Sequence, residues 1–107
     1  MQNQTSQIIS LLGLAQRAGM IASGEDTVGR EVKKRKIALL IVADDSSVNT
    51  RKRAEGWAEY YDIPIFFFSS RGEIGKAIGK EWRAMLGIRD KGFSKKIQCL
   101  LNQALAE

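Results

Sequence analysis

The sequence predicts an α/β fold, a three-layer α-β-α sandwich with a central four-stranded mixed sheet. Two observations lead to this class. Short apolar segments alternate with amphipathic helical segments along the chain, and 44% of the 107 residues are hydrophobic. Alternating strands and helices are typical of a sheet covered by helices on both faces. A chain of this length fits one domain with one ordinary core, so we expect residues 1–107 to form a single domain.

The expected elements follow from the spacing of apolar residues. Helices are expected from Thr5 or Ser6 to Gly19, over 26–35, 48–61 and 71–78, and after a cap at Asp90 or Ser94. Strands are expected over 20–23, 37–43, 65–68 and 82–88. The second and third strands lack alternating polar residues, so we expect both to be buried on both faces.

Several side chains are assigned to the core by their position in these segments. Cys99 lies near Ile97 and Leu101 in the last helix, and we expect a small buried thiol. Because it is the only cysteine, an internal disulfide is excluded. Trp57 is placed in the core stripe of the third helix. Trp82 is interpreted first as a core aromatic and second as a platform for stacking a nucleic-acid base.

The composition argues against most enzyme classes. The chain has no histidine and a single cysteine, which disfavours zinc sites and Cys/His nucleophilic pairs. No glycine-rich nucleotide-binding motif occurs. Asp44 and Asp45 follow an apolar strand, where acids can bind metals, but a polar strand end leading to a helix cap is the favoured interpretation. We therefore expect no catalysis, no metal, no cofactor and no small-molecule substrate.

The N-terminus and the apolar runs predict where the protein works. Residues 1–7 are polar, so no secretory signal is expected, and the longest apolar run is too short to span a bilayer. These features predict a cytoplasmic protein without a membrane partner. We also expect a monomer.

The charge distribution favours a polyanionic partner. The formal net charge is +5 and the isoelectric point is near 9.6. From Arg30 to Lys36 there are five basic residues and one acidic residue. Gly24 opens the preceding segment and allows the backbone there to approach another surface closely. The free N–H groups at the start of the following helix attract phosphate. Gly29 lies mid-helix, either because another element packs tightly there or because a side chain would collide with a ligand.

Two blocks of the sequence resemble a known family. Gly24, Asp26, Thr27, Gly29 and Arg30 occupy the positions of a Gly-x-Asn-Glu-x-Thr-Lys signature. Residues 74–79 are similar to a Leu-Gly-x-Ala-x-Gly stretch of the same family, and residues 80–84 follow it. The chain thus resembles the kink-turn-binding ribosomal proteins of the L7Ae and L30e type, in particular the small bacterial YlxQ-like branch.

The resemblance implies a non-catalytic, ribosomal-protein-like RNA-binding protein that recognises a kink-turn or a similarly bent structured RNA. In this family the first block contacts tandem sheared G·A pairs, and the later loop cradles a flipped-out nucleotide. The implied RNA-binding residues are Gly24, Glu25, Asp26, Thr27, Arg30, Lys33, Lys34, Lys36, Lys80, Glu81, Trp82 and Arg83. Ionised Asp26 only accepts hydrogen bonds, whereas the asparagine of the signature also donates them.

A second function class remains open from the residues alone. The same sandwich can serve as a protein-interaction or assembly factor that docks through Trp57, Tyr60 or Trp82, and exposure of these aromatics would favour it. The basic run 51–53 is interpreted as a solvated helix face.

Overall fold

The computed structural model describes residues 4–106, in which five helices and four strands alternate. In chain order they are α1 (Gln4–Arg17), β1 (Ile21–Ser23), α2 (Glu25–Lys33), β2 (Leu39–Val42), α3 (Val48–Tyr61), β3 (Ile65–Phe67), α4 (Arg71–Ala77), β4 (Met85–Ile88) and α5 (Lys91–Leu105). Residues 1–3, which belong to the polar N-terminus discussed above, and residue 107 lie outside the described range.

The four strands form one mixed sheet in the order β1-β4-β2-β3. β4 is antiparallel to β1 and to β2, whereas β2 and β3 are parallel. Met85 therefore pairs with Val42, and Val42 pairs with Phe67. This register brings the last residues of β1, β2 and β3 to the same end of the sheet as the first residue of β4. We call it the Met85 end and the opposite one the Ile88 end.

Helices cover both faces of the sheet, which confirms the three-layer sandwich. On one face α2 and α3 pack against the sheet with Val28, Val32, Ala54 and Ala58. On the other face α1, α4 and α5 enclose a second apolar cluster. Every residue of β2 is fully buried, as its continuous apolar run predicts. None of the described helices combines the length and apolarity that crossing a bilayer requires.

Several expected boundaries and burials are wrong. Thr5 and Ser6, expected as caps, lie within α1, although Gly19 does end that helix with φ 74°. β3 is only half-buried because it is an edge strand with β2 as its neighbour on one side. The last strand begins at Met85, so Trp82 lies in a loop. Asp90 is confirmed as the cap of α5, since its carboxylate accepts from the Phe93 N–H at 2.8 Å.

Two of the core assignments are contradicted. Cys99 is exposed. It lies two positions from both Ile97 and Leu101, which are buried, and two positions on a helix correspond to about 200° of rotation. The Trp82 side chain is 61% exposed and is not part of the core. Trp57 is half-buried at the edge of the α2–α3 cluster.

Candidate nucleic-acid interface

The sheet topology brings two distant segments together at the Met85 end. The backbone N–H of Gly24 donates to the Met85 carbonyl oxygen at 3.0 Å. The start of α2 therefore lies beside the residue that follows the loop 79–84. Of the residues singled out by sequence, Gly24, Glu25, Asp26 and Thr27 and the loop residues 80–83 lie at this one end.

The start of α2 leaves backbone donors available. Gly24 is the N-cap residue with φ 89°, and no side chain caps the helix. The first-turn N–H groups of a helix lack intrahelical partners, so they can donate to an anion. Asp26 and Arg30 are exposed on this helix, and the Arg30 guanidinium donates to Thr27 Oγ1 at 3.4 Å.

A groove of about 460 Å³ runs between α2 and α3. Its lining residues are Glu25, Asp26, Gly29, Arg30, Lys33, Arg53 and Trp57. A β-carbon at Gly29 would lie 2.7 Å from Cη2 of Trp57. The mid-helix glycine is therefore explained by tight packing, the first of the two alternatives, and this packing places the Trp57 ring in the groove.

Arg53 is a groove residue that the sequence interpretation missed. Its Nη1 lies 3.4 Å from Oε2 of Glu25, in an ion pair between α3 and α2. The run 51–53 looks like an ordinary charged helix face in sequence. Only the packing of α3 on α2 brings Arg53 to the signature segment that begins at Gly24, and no signal in the linear sequence indicates this contact.

The loop 79–84 is held against α4 by its backbone. The Lys80 N–H donates to the Gly75 carbonyl oxygen at 2.9 Å, and the Arg83 N–H donates to the Arg71 carbonyl oxygen at 3.0 Å. A β-carbon at Gly75 would stand 1.9 Å from the Glu81 carbonyl oxygen. Gly75 therefore allows the loop to pack closely on α4, and the side chains of Lys80, Glu81 and Trp82 are exposed to solvent.

Trp82 is oriented by a cation. The Arg71 guanidinium carbon lies 4.6 Å from the centroid of the Trp82 ring system. Arg71 is itself anchored, because its backbone N–H donates to Oδ1 of Asp45 at 2.9 Å and its Nε lies 3.5 Å from the same oxygen. The chain Asp45–Arg71–Trp82 thus fixes an aromatic ring that remains largely exposed. Arg71 is a second residue that sequence reasoning missed.

The segment after β2 is a polar strand end that leads to a helix cap, in agreement with the favoured interpretation. Asp45 binds Arg71, and the Asp44 N–H donates to the Ser69 carbonyl oxygen at 2.8 Å. Ser47 caps α3 by accepting from the Thr50 N–H at 3.1 Å. Across residues 4–106, no group of three or more His, Cys, Asp or Glu side chains is arranged to hold a metal ion.

The basic run 30–36 is divided between the two ends of the sheet. α2 starts at the Met85 end and runs towards the Ile88 end. Lys33 still lines the groove, but Lys34 is the C-cap residue of α2, and Lys36 precedes β2. Lys34 and Lys36 are exposed at the end of the sheet opposite to the loop 79–84.

The one acid in this basic run is bound to an arginine. Arg89 donates from Nε to Glu31 Oε1 at 2.6 Å and from Nη2 to Glu31 Oε2 at 2.7 Å. Arg89 also donates to the Gly19 carbonyl oxygen at 2.9 Å. The hydrogen bonds from Arg89 lower the pKa of the Glu31 carboxyl, and they outweigh the opposing effect of burial. This pair ties the last turn of α2 to the end of β4.

A sequence profile now accounts for most of this chain. The profile of the ribosomal protein L7Ae/L30e/S12e/Gadd45 family matches residues 6–98. The chain belongs to this family. Both the signature segment that begins at Gly24 and the loop 79–84 lie inside the matched range, so the elements at the Met85 end are part of the L7Ae/L30e/S12e/Gadd45 domain.

Two relatives cover nearly the whole chain. The RNA-binding protein YlxQ of Bacillus subtilis (strain 168) is 39% identical over 92 residues, which are 86% of this chain and 92% of that protein. The RNA-binding protein YlxQ of Enterococcus faecium is 36% identical over 100 residues, 94% of this chain and 96% of that protein.

Solved structures agree with the family fold. A protein of unknown function from Bacillus halodurans superposes with a TM-score of 0.87 at 35% identity, covering 90% of this chain and 97% of that one. The Giardia lamblia 15.5kD RNA binding protein superposes with a TM-score of 0.80, covering 99% of this chain and 92% of that one. Its identity of 16% shows a shared fold alone.

Proposed function

We propose that this protein binds structured RNA through the Met85 end of its sheet and that it does so without catalysis. The observation that supports this most directly is the hydrogen bond from Gly24 to Met85, which holds the signature segment beside the loop 79–84. Two relatives that match most of the chain are named RNA-binding proteins. The preferred ligand is a kink-turn or a similarly bent RNA.

The chemistry of α2 suits a bent RNA. Sequence-specific RNA recognition mostly uses bulges and splayed segments, because the A-form major groove is too deep and narrow for side chains. Asp26 accepts hydrogen bonds and suits an exocyclic amine of a base. Arg30 suits the edge of a guanine or a phosphate, and the uncapped amides that follow Gly24 suit a phosphate.

The loop 79–84 supplies a different contact. Trp82 is exposed and held by Arg71, so one face of the ring can stack on an unpaired base. Lys80 and Arg83 flank it and provide phosphate contacts. Glu81 contributes its backbone, which packs on Gly75, rather than its carboxylate.

A direct titration tests the proposal. The protein is titrated with a kink-turn RNA that contains tandem sheared G·A pairs and with a matched RNA in which Watson–Crick pairs replace them, at about 150 mM salt. Clear preference for the kinked RNA is expected. Equal, weak binding of both RNAs would refute kink-turn recognition. Sedimentation in the same buffer checks the expected monomer, and fractionation of cells checks the expected cytoplasmic location.

One observation favours the alternative of a protein-interaction or assembly factor. The Tyr60 side chain is 77% exposed on α3 and packs edge-on against Tyr61 with ring centroids 4.8 Å apart. Exposed aromatics are enriched at protein interfaces. In this alternative Tyr60→Ala abolishes capture of a cellular protein and leaves RNA affinity unchanged.

A further inference from the structure

The Ile88 end of the sheet carries a basic surface of its own. Its five exposed cations come from the connection between α2 and β2 and from the start of α5. They are Lys34, Arg35, Lys36, Lys91 and Lys95, and we call them the far basic surface. A cavity of about 300 Å³ lies among them, lined by Arg35, Lys91 and Lys95 and by residues that precede β2 and β3.

Few acids offset this charge. Asp62 lines the same cavity. Asp90 caps α5, and Glu31 is bound by Arg89 in a pair that contributes no net charge. Five cations against Asp62 and Asp90 leave an excess of three positive charges. An excess of this kind on one face is the electrostatic footprint of a polyanion site.

Arg35 gives an independent reason to assign a function here. Its φ is 58°, in the left-handed region that glycine occupies at the end of many helices. Its N–H donates to the Val32 carbonyl oxygen, and the Lys36 N–H donates to the Glu31 carbonyl oxygen, both at 2.9 Å. This helix-ending turn needs no side chain, yet it holds an arginine in a strained conformation. Strain of this type is concentrated at functional positions.

The Arg35 side chain is also oriented. Its guanidinium carbon lies 5.2 Å from the centroid of the Tyr61 ring, and Tyr61 lines the same cavity. Stacking on an aromatic ring leaves the edge of a guanidinium free to donate hydrogen bonds. Arg35 is therefore held at the mouth of a cavity with lysines on its other side.

We propose that the far basic surface binds the phosphate backbone of a second RNA segment, separate from the one held at the Met85 end. The two surfaces are separated by the length of the sheet. Ala38 and Ala43 flank β2 and are about 17 Å apart along an extended chain, so a single nucleotide cannot contact both. The inference rests on the proposed function, since it takes the partner to be RNA.

A pair of charge-matched variants tests this proposal. Lys91→Gln/Lys95→Gln removes two cations from the far basic surface. Lys52→Gln/Lys76→Gln removes two exposed cations from α3 and α4, outside both proposed surfaces. Each protein is titrated with a 16-base-pair RNA duplex that has no sheared G·A pairs, and separately with the kink-turn RNA.

The far-surface variant should bind the duplex roughly tenfold more weakly, and its salt slope should fall by about 1.4–1.8 for two lost phosphate contacts. Its affinity for the kink-turn RNA should remain within about twofold of the unmodified protein, and the control variant should change neither affinity beyond that. Equal losses in the two variants, or no loss in the first, would overturn the proposal. The proposal would also be overturned if polyglutamate displaced bound duplex from the protein as effectively as added duplex does, since the partner would then be an acidic protein.

Arg35→Gly separates a functional from a structural role. Glycine fits the left-handed turn without strain, so thermal stability should stay equal or rise while duplex affinity falls. Unchanged duplex affinity would overturn the role of Arg35. The proposed function is tested separately. If the unmodified protein shows no preference for the kink-turn RNA, the proposed function fails. If duplex binding still depends on Lys91 and Lys95 in that case, the proposal for the far basic surface is nevertheless supported.

Discussion

Gly75 and Glu81 are in such close contact that a β-carbon on the glycine would lie 1.9 Å from the glutamate carbonyl oxygen. The atom that would be struck belongs to the backbone, so no side-chain rotation can relieve the collision. Gly75→Ala must therefore move the loop 79–84 away from α4. We expect a loss of about 1–3 kcal/mol in the free energy of unfolding, typical of overpacking, and weaker binding of the kink-turn RNA.

A glycine in another helix provides the control for this prediction. Gly56 lies in α3, and a β-carbon there would meet nothing within 4 Å. Gly56→Ala should stabilise the protein by up to about 1 kcal/mol through helix propensity and leave RNA affinity unchanged. Thermal unfolding and RNA titration of both variants measure the contrast. A Gly75→Ala protein with unchanged stability would show that the loop does not depend on this contact.

Trp82→Ala should weaken RNA binding and spare the fold. The ring is 61% exposed and contacts Arg71, so its removal leaves no cavity in the core. If a base stacks on it, we expect a loss of about 1–3 kcal/mol in binding free energy. Tyr60→Ala removes an aromatic ring that is exposed to a similar extent on α3 and should bind RNA normally. Comparable losses in both variants would argue against a stacking role for Trp82.

Arg30→Ala and Lys36→Ala should have different effects because Arg30 lines the groove on α2, whereas Lys36 follows α2 at the Ile88 end of the sheet. Arg30 lines the groove next to Asp26, and its loss should cost about 1–3 kcal/mol on the kink-turn RNA and reduce the preference over the control RNA. Lys36→Ala removes a cation of the far basic surface, so it should weaken binding of the RNA duplex, lower the salt slope of that binding by about 0.7–0.9 and leave the preference for the kink-turn RNA unchanged. Identical behaviour of the two variants would mean that Arg30 provides charge alone.

The pair Glu31–Arg89 predicts a pH dependence of stability. The pKa of Glu31 is lowered in the folded protein, chiefly by the hydrogen bonds from Arg89. A carboxyl with a lowered pKa stabilises the fold above its unfolded pKa of about 4.3, and this contribution disappears as the pH falls through the lower, folded pKa. Glu31→Gln should therefore lower the Tm near neutral pH, and the difference should shrink in acid.

Thermal unfolding between about pH 7 and pH 3 measures this effect. Glu55→Gln removes an exposed carboxylate from α3, far from Arg89 in sequence, and serves as the control. A difference between Glu31→Gln and the unmodified protein that stayed constant down to the lowest pH would contradict the ion-pair explanation.

The fold was predictable because its strongest signals are local. The continuous apolar run of β2 matches its complete burial, and α1 ends at Gly19 as expected. The spacing of apolar residues did not predict burial correctly where the burial of a residue depends on which elements lie beside it in space. β3 is as apolar as β2 but lies at the edge of the sheet, and Trp82 leaves the core because Arg71 provides a partner for its ring at the surface.

The candidate site was predictable only in part. The signature residues after Gly24 and the loop 79–84 could be named from sequence, because both belong to contiguous blocks. Arg53 could not be placed, since its contact with Glu25 spans 28 positions and depends on how α3 packs on α2. The basic run 30–36 looked like one surface because its residues are adjacent in sequence, whereas the direction of α2 divides them between the two ends of the sheet.

Because α2 runs from the Met85 end to the Ile88 end of the sheet, its length sets a fixed distance between these two ends. The nine residues of α2 rise by about 1.5 Å each, so the helix is a rigid spacer of about 13–14 Å between the two ends of the molecule. One inserted residue would lengthen it slightly but rotate everything after it by about 100°, turning Val32 out of the core and Arg35 away from Tyr61. Under the proposed function, a different RNA geometry would therefore be matched by substitutions within α2 or by changes in the loop 79–84, whereas the length of α2 itself is constrained by the core.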